Sequence, residues 1–525
     1  MSAENKLPLK SISLITAIKL LAACVGLLQT IALASLFGAT RTIEVFFAAL
    51  TFQQLLAALT SSGQIGDLFT PIYHDIKVSH GSREAWAAFS AMTNVMLLFA
   101  SIVAVGAALL ARPISAALVP GFATEDLELT QKVFLSVAPL IVVMIGNSML
   151  SNLLRAEHRY GLTESLQLAG RVANLVILLG LAPLVGVWAL IVGMWVSAII
   201  LAIGQIWDMY RNGGEYKFVL STSAFQPRTV LCKIPLSLTH VFAAQFFTFA
   251  LTAGLSLLPE GSYAAFSYAQ RLRAKFQGLV LQPVGIVFFN HFSESLSQGA
   301  TKVRSFAEHA LGLTLAVTAF SLAPIVASGD LLLAGLWGGP DFPPERIAQT
   351  HYVLCALTAL LAINAQYLIA RRTNLALKIV GPQFAASSSV ITCTGFACYW
   401  LIPAYGLPGV VALQIATAAG TALTSLGVLA HYRRELLCLL PLKQTMQWIV
   451  TVAITICVVW TGRHFIGPVA DVPAATQLVA GGLWAIASVL ITCAVAHCLG
   501  IREFHDLSEK VLARSRRLLA QGAKA

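Results

Sequence analysis

Long apolar runs alternate with short polar stretches along the whole chain. A run of about 20 apolar residues is the length that crosses a bilayer as a helix. The pattern therefore predicts an all-α polytopic membrane protein with about fourteen transmembrane helices. The predicted spans are 12–36, 43–70, 87–112, 130–152, 163–183, 186–208, 229–257, 262–291, 303–327, 348–370, 376–401, 407–430, 446–466 and 476–500.

Composition supports a membrane protein and excludes several classes of function. The 525 residues are 57% hydrophobic and only 11% charged, whereas a soluble protein carries about 25% charged residues. The nine cysteines are scattered through apolar runs without a CxxC pair, and the chain has no G-x-x-x-x-G-K-[ST] phosphate loop. We therefore expect a transporter rather than an enzyme, without a cofactor or a metal site.

The distribution of lysine and arginine predicts the orientation of the chain. With the N-terminus inside, the opposite loops hold only five of these residues. Those five are Arg41, Arg112, Lys132, Arg346 and Arg463. Cytoplasmic loops are enriched in Lys and Arg, so both termini are predicted to be cytoplasmic. The net charge of +11 is then explained by the Lys and Arg residues of the cytoplasmic loops. No nucleic-acid partner is therefore expected.

An internal repeat with an offset near 219 residues divides the chain. APLVGVWAL (182–190) matches IPAYGLPGV (402–410), with Pro183/Pro403 and Gly186/Gly406 in register. A repeat of six helices gives both halves the same membrane orientation, which suits two lobes around a central cleft. The predicted domains are an N-terminal lobe (1–215), a C-terminal lobe (216–440), helices 13 and 14 (441–500) and a basic tail (501–525). The tail is predicted to be either an amphipathic helix on anionic lipid or a solvated segment.

The segment YAQRLRAKFQG in predicted helix 8 carries the strongest candidate site. Tyr268, Arg271 and Lys275 recur at helical spacing on one polar stripe with Gly278 and Gln282, whereas Arg273 points nearly opposite. Cations near the bilayer centre are costly and usually face a water-filled cavity. The alternative is a buried ion pair that fixes helix packing.

Three other predicted helices carry polar side chains that could line the same cavity. In helix 5 the candidate is Arg171. Glu164 lies two turns away on the same helix and could instead form an ion pair with it. In helix 1 the candidates are Lys19, which could instead snorkel to the cytoplasm, and Gln29. In helix 2 the candidates are Glu44 and Gln54. Glu44 lies near the helix end, where a hydrated carboxylate without a part in binding is a reasonable alternative.

The candidate cavity has excess positive charge and few acids. Arginine donates two parallel hydrogen bonds to phosphate oxygens and lysine supplies a point charge. The sequence therefore predicts an anionic substrate, such as a phosphate or pyrophosphate headgroup. A cation exporter would place carboxylates there instead.

Several motifs resemble those of the MurJ/MviN proteins, the lipid II flippases. FGATRTIEVFFAAL (37–50), FTP (69–71), NLLRAEHRYGLTE (152–164) and YAQRL (268–272) carry the resemblance, which covers essentially the whole chain. It places the chain as a divergent member within the multidrug/oligosaccharidyl-lipid/polysaccharide exporter superfamily. It implies a flippase of the bacterial inner membrane that moves an undecaprenyl-pyrophosphate-linked saccharide to the periplasmic leaflet. It also implies that Arg271 is a cavity arginine and that helices 13 and 14 form a groove for the lipid tail.

The chain departs from the family pattern at four cavity positions. The family's arginines in helices 1 and 2 align with Ala23, Gln29, Ala57 and Ala58. Lys19, Arg171, Arg273 and Lys275 are candidates to compensate. The substrate is therefore either lipid II or another polyprenyl-linked glycan, such as an exopolysaccharide repeat unit. The other hypotheses for the function are a drug antiporter of the same superfamily and a non-transporting membrane scaffold. A coupling ion is a further possible partner of the transport cycle.

Overall fold

A computed structural model describes residues 9–59, 62–157, 159–223, 225–226, 235–275, 277, 300–437, 439–466 and 473–501. Within these ranges the chain forms helices and no β-strand, which confirms the predicted all-α class. The second half of predicted helix 8, with Gly278 and Gln282, and the tail beyond residue 501 lie outside the described residues.

Eleven helices precede residue 276 in the described ranges. They are α1 (Leu9–Phe37), α2 (Arg41–Leu59), α3 (Ser62–His80), α4 (Ser82–Leu109), α5 (Ala111–Leu118), α6 (Thr124–Val137), α7 (Leu140–Ala156), α8 (Tyr160–Val185), α9 (Trp188–Arg211), α10 (Pro235–Ser256) and α11 (262–275). Six further α-helices follow in the described part of the chain. They are α12 (Ala300–Trp337), α13 (Pro344–Ala359), α14 (Leu361–Ala376), α15 (Val380–Tyr432), α16 (Leu442–Ile466) and α17 (Ala474–Cys498).

Ten of the described helical stretches are long and apolar enough to cross a membrane, judged by length and composition. They coincide with eleven of the predicted spans, because Val380–Tyr432 contains two of them. The predicted spans 43–70, 229–257 and 262–291 are not among the ten. The structure confirms the polytopic class, and the count of fourteen stays a prediction.

Two glycines in register in the repeat share one unusual backbone conformation. Gly186 ends α8 with φ 59° and ψ −134°, and Gly406 breaks α15 with φ 62° and ψ −141°. Residues with a side chain rarely adopt this combination, which belongs to glycine at turns. The equivalent break in both halves supports the register of the sequence repeat.

The described chain falls into two compact units, Met1–Ala264 with Gly395–Pro403 and Ala265–Thr394 with Ala404–Ala525. In the first unit α8 packs against α1 and α9, and α10 packs against α2 and α5. In the second unit α12 packs against α16 and α17. The lobe limits predicted from the repeat stay a prediction.

An irregular segment, residues 214–219, is fixed along α4 in the first unit; we call it the strap. The Asn94 amide donates to the carbonyl oxygens of Lys217 (3.0 Å) and Val219 (2.8 Å). The Tyr216 hydroxyl donates to Asn94 Oδ1, and Lys217 N donates to Ser90 Oγ at 3.1 Å. These bonds satisfy backbone groups that no helix or sheet satisfies.

A bidentate ion pair fixes α16 to α12 in the second unit. Arg463 Nη2 lies 2.7 Å from Asp330 Oδ2, and its Nη1 lies 3.0 Å from Asp330 Oδ1. Arg463 Nη1 also donates to the Ala327 carbonyl at 2.8 Å. Arg463 is thus placed by a paired acid, as expected for a cation at the end of a membrane helix.

Candidate functional site

The α11 cations follow a buried aromatic cluster of the second unit. Tyr268 is fully buried, and its ring centroid lies 5.3 Å from that of Trp337 and 5.7 Å from that of Phe342. This end of the predicted polar stripe is therefore packed core. Arg271 is half-buried and lies about one turn farther along the helix, and Lys275, also half-buried, lies about two turns farther.

Arg273 differs from the two neighbouring cations, as its position on the helix predicts. Helical spacing places it on a separate face of α11. It is half-buried, and its Nε is a buried donor without a hydrogen-bond partner among the described residues. Its predicted part in substrate binding stays a prediction.

The structure brings the predicted polar faces of helices 1 and 5 together. Gln29 of α1 donates to Asn174 Oδ1 of α8 at 2.6 Å. Arg171 is exposed, and its Nη1 donates to the Ala22 carbonyl of α1 at 3.2 Å. Lys19 is exposed on α1. Two of the candidate residues thus join the same pair of helices in the first unit.

The predicted pairing of Arg171 with Glu164 is wrong. Glu164 Oε1 lies 3.9 Å from Arg155 Nη2 at the neighbouring end of α7. Spacing of seven residues aligns Glu164 and Arg171 on one helix, but the side chain of another helix comes closer. Arg171 instead contacts backbone of α1.

Glu44 lies at the junction of two helix starts rather than on an open face. It is fully buried, and its Oε1 accepts from the backbone N–H of Gly261 (2.9 Å) and Ala264 (3.1 Å). Its Oε2 lies 2.6 Å from Arg41 Nη1. In return, Glu260 accepts from Arg41 N at 2.6 Å. Glu44 therefore stabilises the N-terminus of α11 and Glu260 that of α2, where the helix dipole favours negative charge.

A cavity of about 480 Å³ lies within the first unit. It is bounded by α2, α7, α8 and α9. Its lining residues are Leu50, Gln53, Leu140, Met144, Asn147, Ser148, Ser151, Asn152, Arg155, Gln167, Asn174, Met194, Ser197, Ala198 and Leu201. We call this cavity the recess.

The recess is lined by Gln53 and not by its neighbour Gln54, the predicted candidate. Gln54 is exposed on α2, whereas Gln53 lines the recess and its amide contacts Met144 Sδ. Most other polar lining residues were not among the predicted candidates. The signal was present, because Asn147 and Ser151, and likewise Ser148 and Asn152, recur every four residues in an otherwise apolar helix.

Among the described residues, no group of three or more His, Cys, Asp or Glu side chains could hold a metal ion. The polar groups of the recess are instead amides, hydroxyls and one guanidinium. Such a set can hydrogen-bond a polar organic group, and the described lining carries no side chain that could act as a nucleophile beside a base.

Comparison with known proteins identifies the family. The model of the family "Lipid II flippase MurJ" matches residues 33–468. The chain belongs to the MurJ lipid II flippase family. The match spans all the motifs on which the sequence resemblance rested, and it confirms that resemblance.

Relatives of this MurJ-family chain are distant in sequence and close in fold. A probable lipid II flippase MurJ of Rhizobium tropici is 25% identical over 294 residues. That alignment covers 53% of each protein, so the chain spans about half the length of this curated relative. A solved lipid II flippase MurJ in an inward closed conformation is 18% identical with a TM-score of 0.76, covering 93% of this chain and 100% of the other.

A second solved structure shares the fold to a lesser degree. An inward-facing multidrug resistance transporter of the MATE family in the MOP superfamily is 14% identical with a TM-score of 0.62. The match covers 79% of this chain and 94% of the other. The likeness supports a polytopic transporter fold.

Proposed function

We propose that the chain flips an undecaprenyl-pyrophosphate-linked saccharide from the cytoplasmic to the periplasmic leaflet of the bacterial inner membrane. Membership of the lipid II flippase family, over residues 33–468, carries this proposal. Two units of a transporter fold suit alternating access, in which a central site opens to each side in turn. The driving gradient would come from a coupling ion or the membrane potential, since the sequence holds no phosphate loop.

In this proposal Arg271 and Lys275 bind the pyrophosphate. Both are half-buried cations about nine and thirteen residues into α11. Arginine matches pyrophosphate oxygens bidentately, and lysine adds a point charge. Lys19, Arg171 and Arg273 are secondary candidates for the same role.

Lipid II is the first candidate substrate, and a polysaccharide repeat unit is the second. The second is favoured by the neutral residues Ala23, Gln29, Ala57 and Ala58 at positions where the family resemblance implies arginines. In the structure the Gln29 amide is engaged with Asn174, so it contributes a neutral contact rather than a charge. A substrate with a different headgroup would need a different set of contacts.

Complementation tests the function and separates the two substrates. The chain is expressed in a strain depleted of its lipid II flippase and in a strain that lacks an exopolysaccharide flippase. Growth of the first strain supports lipid II, and rescue of the second alone supports the polysaccharide. Rescue of neither strain, with folded protein in the membrane, would contradict flipping of both substrates.

Arg271→Ala is expected to abolish rescue while folded protein remains in the membrane. Hydrogen bonds to a charged group contribute about 1.5–3 kcal/mol, which corresponds to roughly 10- to 100-fold in affinity. Arg271→Lys should retain part of the activity. The matched control is Arg112→Ala, which removes an exposed arginine at the start of α5. Full rescue by Arg271→Ala would show that Arg271 is not part of the substrate site.

A further inference from the structure

The recess extends along the first unit from the end of α7 that is predicted to be cytoplasmic. Its lining runs along α7 from Leu140 to Arg155, which is about 22 Å of helix at 1.5 Å per residue. On α8 it reaches Asn174, fourteen residues after Tyr160, the first residue of that helix. The recess therefore offers a route from the predicted cytoplasmic side toward the middle of the membrane.

The chemistry of the lining favours a neutral polar ligand. None of the described lining residues is acidic, so a metal ion or an ammonium group would lack a counter-charge. Arg155, the one cation of the described lining, already lies 3.9 Å from Glu164. The remaining polar groups are the amides and hydroxyls of Gln53, Asn147, Ser148, Ser151, Asn152, Gln167, Asn174 and Ser197.

Asn147 gives the recess a buried acceptor that the described protein leaves unused. The residue is only 5% exposed, and its Nδ2 donates to the Ala198 carbonyl at 2.9 Å. This bond fixes the orientation of the amide. Its Oδ1 has no hydrogen-bond partner among the described residues, although buried acceptors in folded proteins are nearly always paired.

Asn152 adds an unused donor on the same helix. Its Nδ2 is buried and also without a hydrogen-bond partner in the described part of the chain. An acceptor and a donor along one cavity match a ligand that carries both kinds of group, as a sugar with hydroxyl or acetamido groups does. Apolar side chains such as Leu50, Met144 and Met194 form the rest of the lining, which suits the carbon face of a sugar ring.

We propose that the recess binds a neutral saccharide unit of the transported lipid-linked glycan, with Asn147 and Asn152 as its hydrogen-bonding residues. The proposal rests on the proposed function, because it names the part of that substrate which this cavity takes. The volume of about 480 Å³ lies within the range of sites for small organic ligands. The pyrophosphate is assigned to the α11 cations and not to the recess.

The test measures sugar binding to the purified full chain in detergent by saturation-transfer NMR. The probes are N,N′-diacetylchitobiose and maltose, two neutral disaccharides with and without acetamido groups. Asn147→Leu removes the unused acceptor at similar volume, Asn152→Leu removes the donor, and Ser148→Trp fills the recess. Ser165→Trp is the matched control, because Ser165 is exposed on α8 and its hydroxyl donates to the Gly161 carbonyl of its own helix.

We expect the parent and Ser165→Trp to bind at least one disaccharide with equal affinity. Asn147→Leu and Asn152→Leu should each weaken binding about tenfold, the effect of one hydrogen bond, and Ser148→Trp should abolish it. A melting temperature close to that of the parent shows that a variant is folded. Failure of both sugars to bind the parent, or undiminished binding by folded Ser148→Trp, overturns the proposal.

The same variants distinguish this inference from the proposed function. If the parent rescues a flippase-deficient strain and Ser148→Trp does so equally well, flipping stands and the recess is not a substrate site. If the parent rescues neither strain but binds a disaccharide through Asn147, the proposed function falls and the saccharide site stands.

Discussion

At the scale of single residues, the Glu157 carboxylate of the first unit accepts several hydrogen bonds. Its Oε1 accepts from the Tyr73 hydroxyl and from Lys77 Nζ, each at 2.6 Å, and its Oε2 accepts from Lys77 Nζ at 2.7 Å. Burial alone would raise the pKa of the Glu157 carboxyl, but the bonds from Lys77 and Tyr73 outweigh it and lower the pKa overall. The motif residue at the end of α7 is thereby tied to the end of α3.

Glu157→Gln should lower the free energy of unfolding by about 1 kcal/mol at pH 7, the scale of a charged hydrogen bond that is partly exposed. Because the folded-state pKa is lowered, the carboxylate stabilises the fold above its unfolded-state pKa, about 4.3. That contribution is lost as the pH falls through the folded-state pKa. The melting temperatures of parent and Glu157→Gln should therefore converge as the pH falls below that folded-state pKa.

The exposed Glu128 provides the control, since Glu128→Gln should leave the melting temperature unchanged at either pH. A gap between parent and Glu157→Gln that stays constant from pH 7 down through the acid range would contradict the role assigned to the carboxylate.

The sequence predicted which helix faces are polar better than it predicted the contacts of individual side chains. Helical spacing placed Gln29 and Arg171 among the candidates of two predicted helices, and both side chains lie where α1 and α8 meet. It did not choose between Gln53 and Gln54, because adjacent residues on a helix differ by only about 100° and the neighbouring helices decide which is inside. It also could not show that the Glu44 carboxylate would be used by backbone N–H groups more than 200 residues away.

At the scale of elements, apolar runs predict where helices lie better than where they break. Predicted span 130–152 is two helices, α6 and α7, with Ala138 and Pro139 between them. The short helix α5 was not predicted, since eight residues are too few to show a clear period. The predicted boundary between spans 11 and 12, by contrast, coincides with the kink at Gly406, where two helices meet within Val380–Tyr432.

The two equivalent glycines should be equally intolerant of a side chain. Gly186→Ala and Gly406→Ala each force an alanine to φ near +60° with ψ near −140°. We expect each to lower the free energy of unfolding by about 1–3 kcal/mol. Thermal unfolding monitored by intrinsic fluorescence measures the effect.

Two other glycines serve as controls for this pair. Gly180 and Gly427 have open space where a side-chain carbon would stand and no unusual φ, so their alanine variants should be as stable as the parent. Equal stability of all four variants would show that the breaks impose no backbone requirement.

The strap should loosen when its anchoring amide is removed. Asn94→Leu keeps the volume but leaves the carbonyl groups of Lys217 and Val219 without their donor. We expect the free energy of unfolding to fall by about 2 kcal/mol. Hydrogen exchange of the backbone amides should become faster only in the strap and in the residue that follows it.

Ser101→Ala is the control on the same helix, because the Ser101 hydroxyl donates to the Leu97 carbonyl of its own helix. Exchange in the strap that is as slow in Asn94→Leu as in this control would mean that other contacts hold the segment.

At the scale of the whole molecule, the repeat and the charge distribution carry different kinds of information. The repeat placed Gly186 and Gly406 in register, and the structure contains a break of the same geometry at both. The helices beyond the repeat, α16 and α17, pack on α12, and Arg463 pairs with Asp330 there. No periodicity in either segment encodes that pairing, since it depends on which helix surfaces the fold brings together.

The orientation of the chain follows from charge and is open to a direct test. Alkaline phosphatase is active only outside the cytoplasm, and a fluorescent protein folds well only inside it. Loops rich in Lys and Arg stay in the cytoplasm, so phosphatase fusions after residues 214 and 437 should be inactive and the matching fluorescent fusions bright. A phosphatase fusion after residue 341, in the loop before α13 with its acids Asp341 and Glu345, should be active. The reverse pattern would place the recess entrance and the Glu157 cluster on the periplasmic side, and loading of substrate from the cytoplasmic leaflet through the recess would then be excluded.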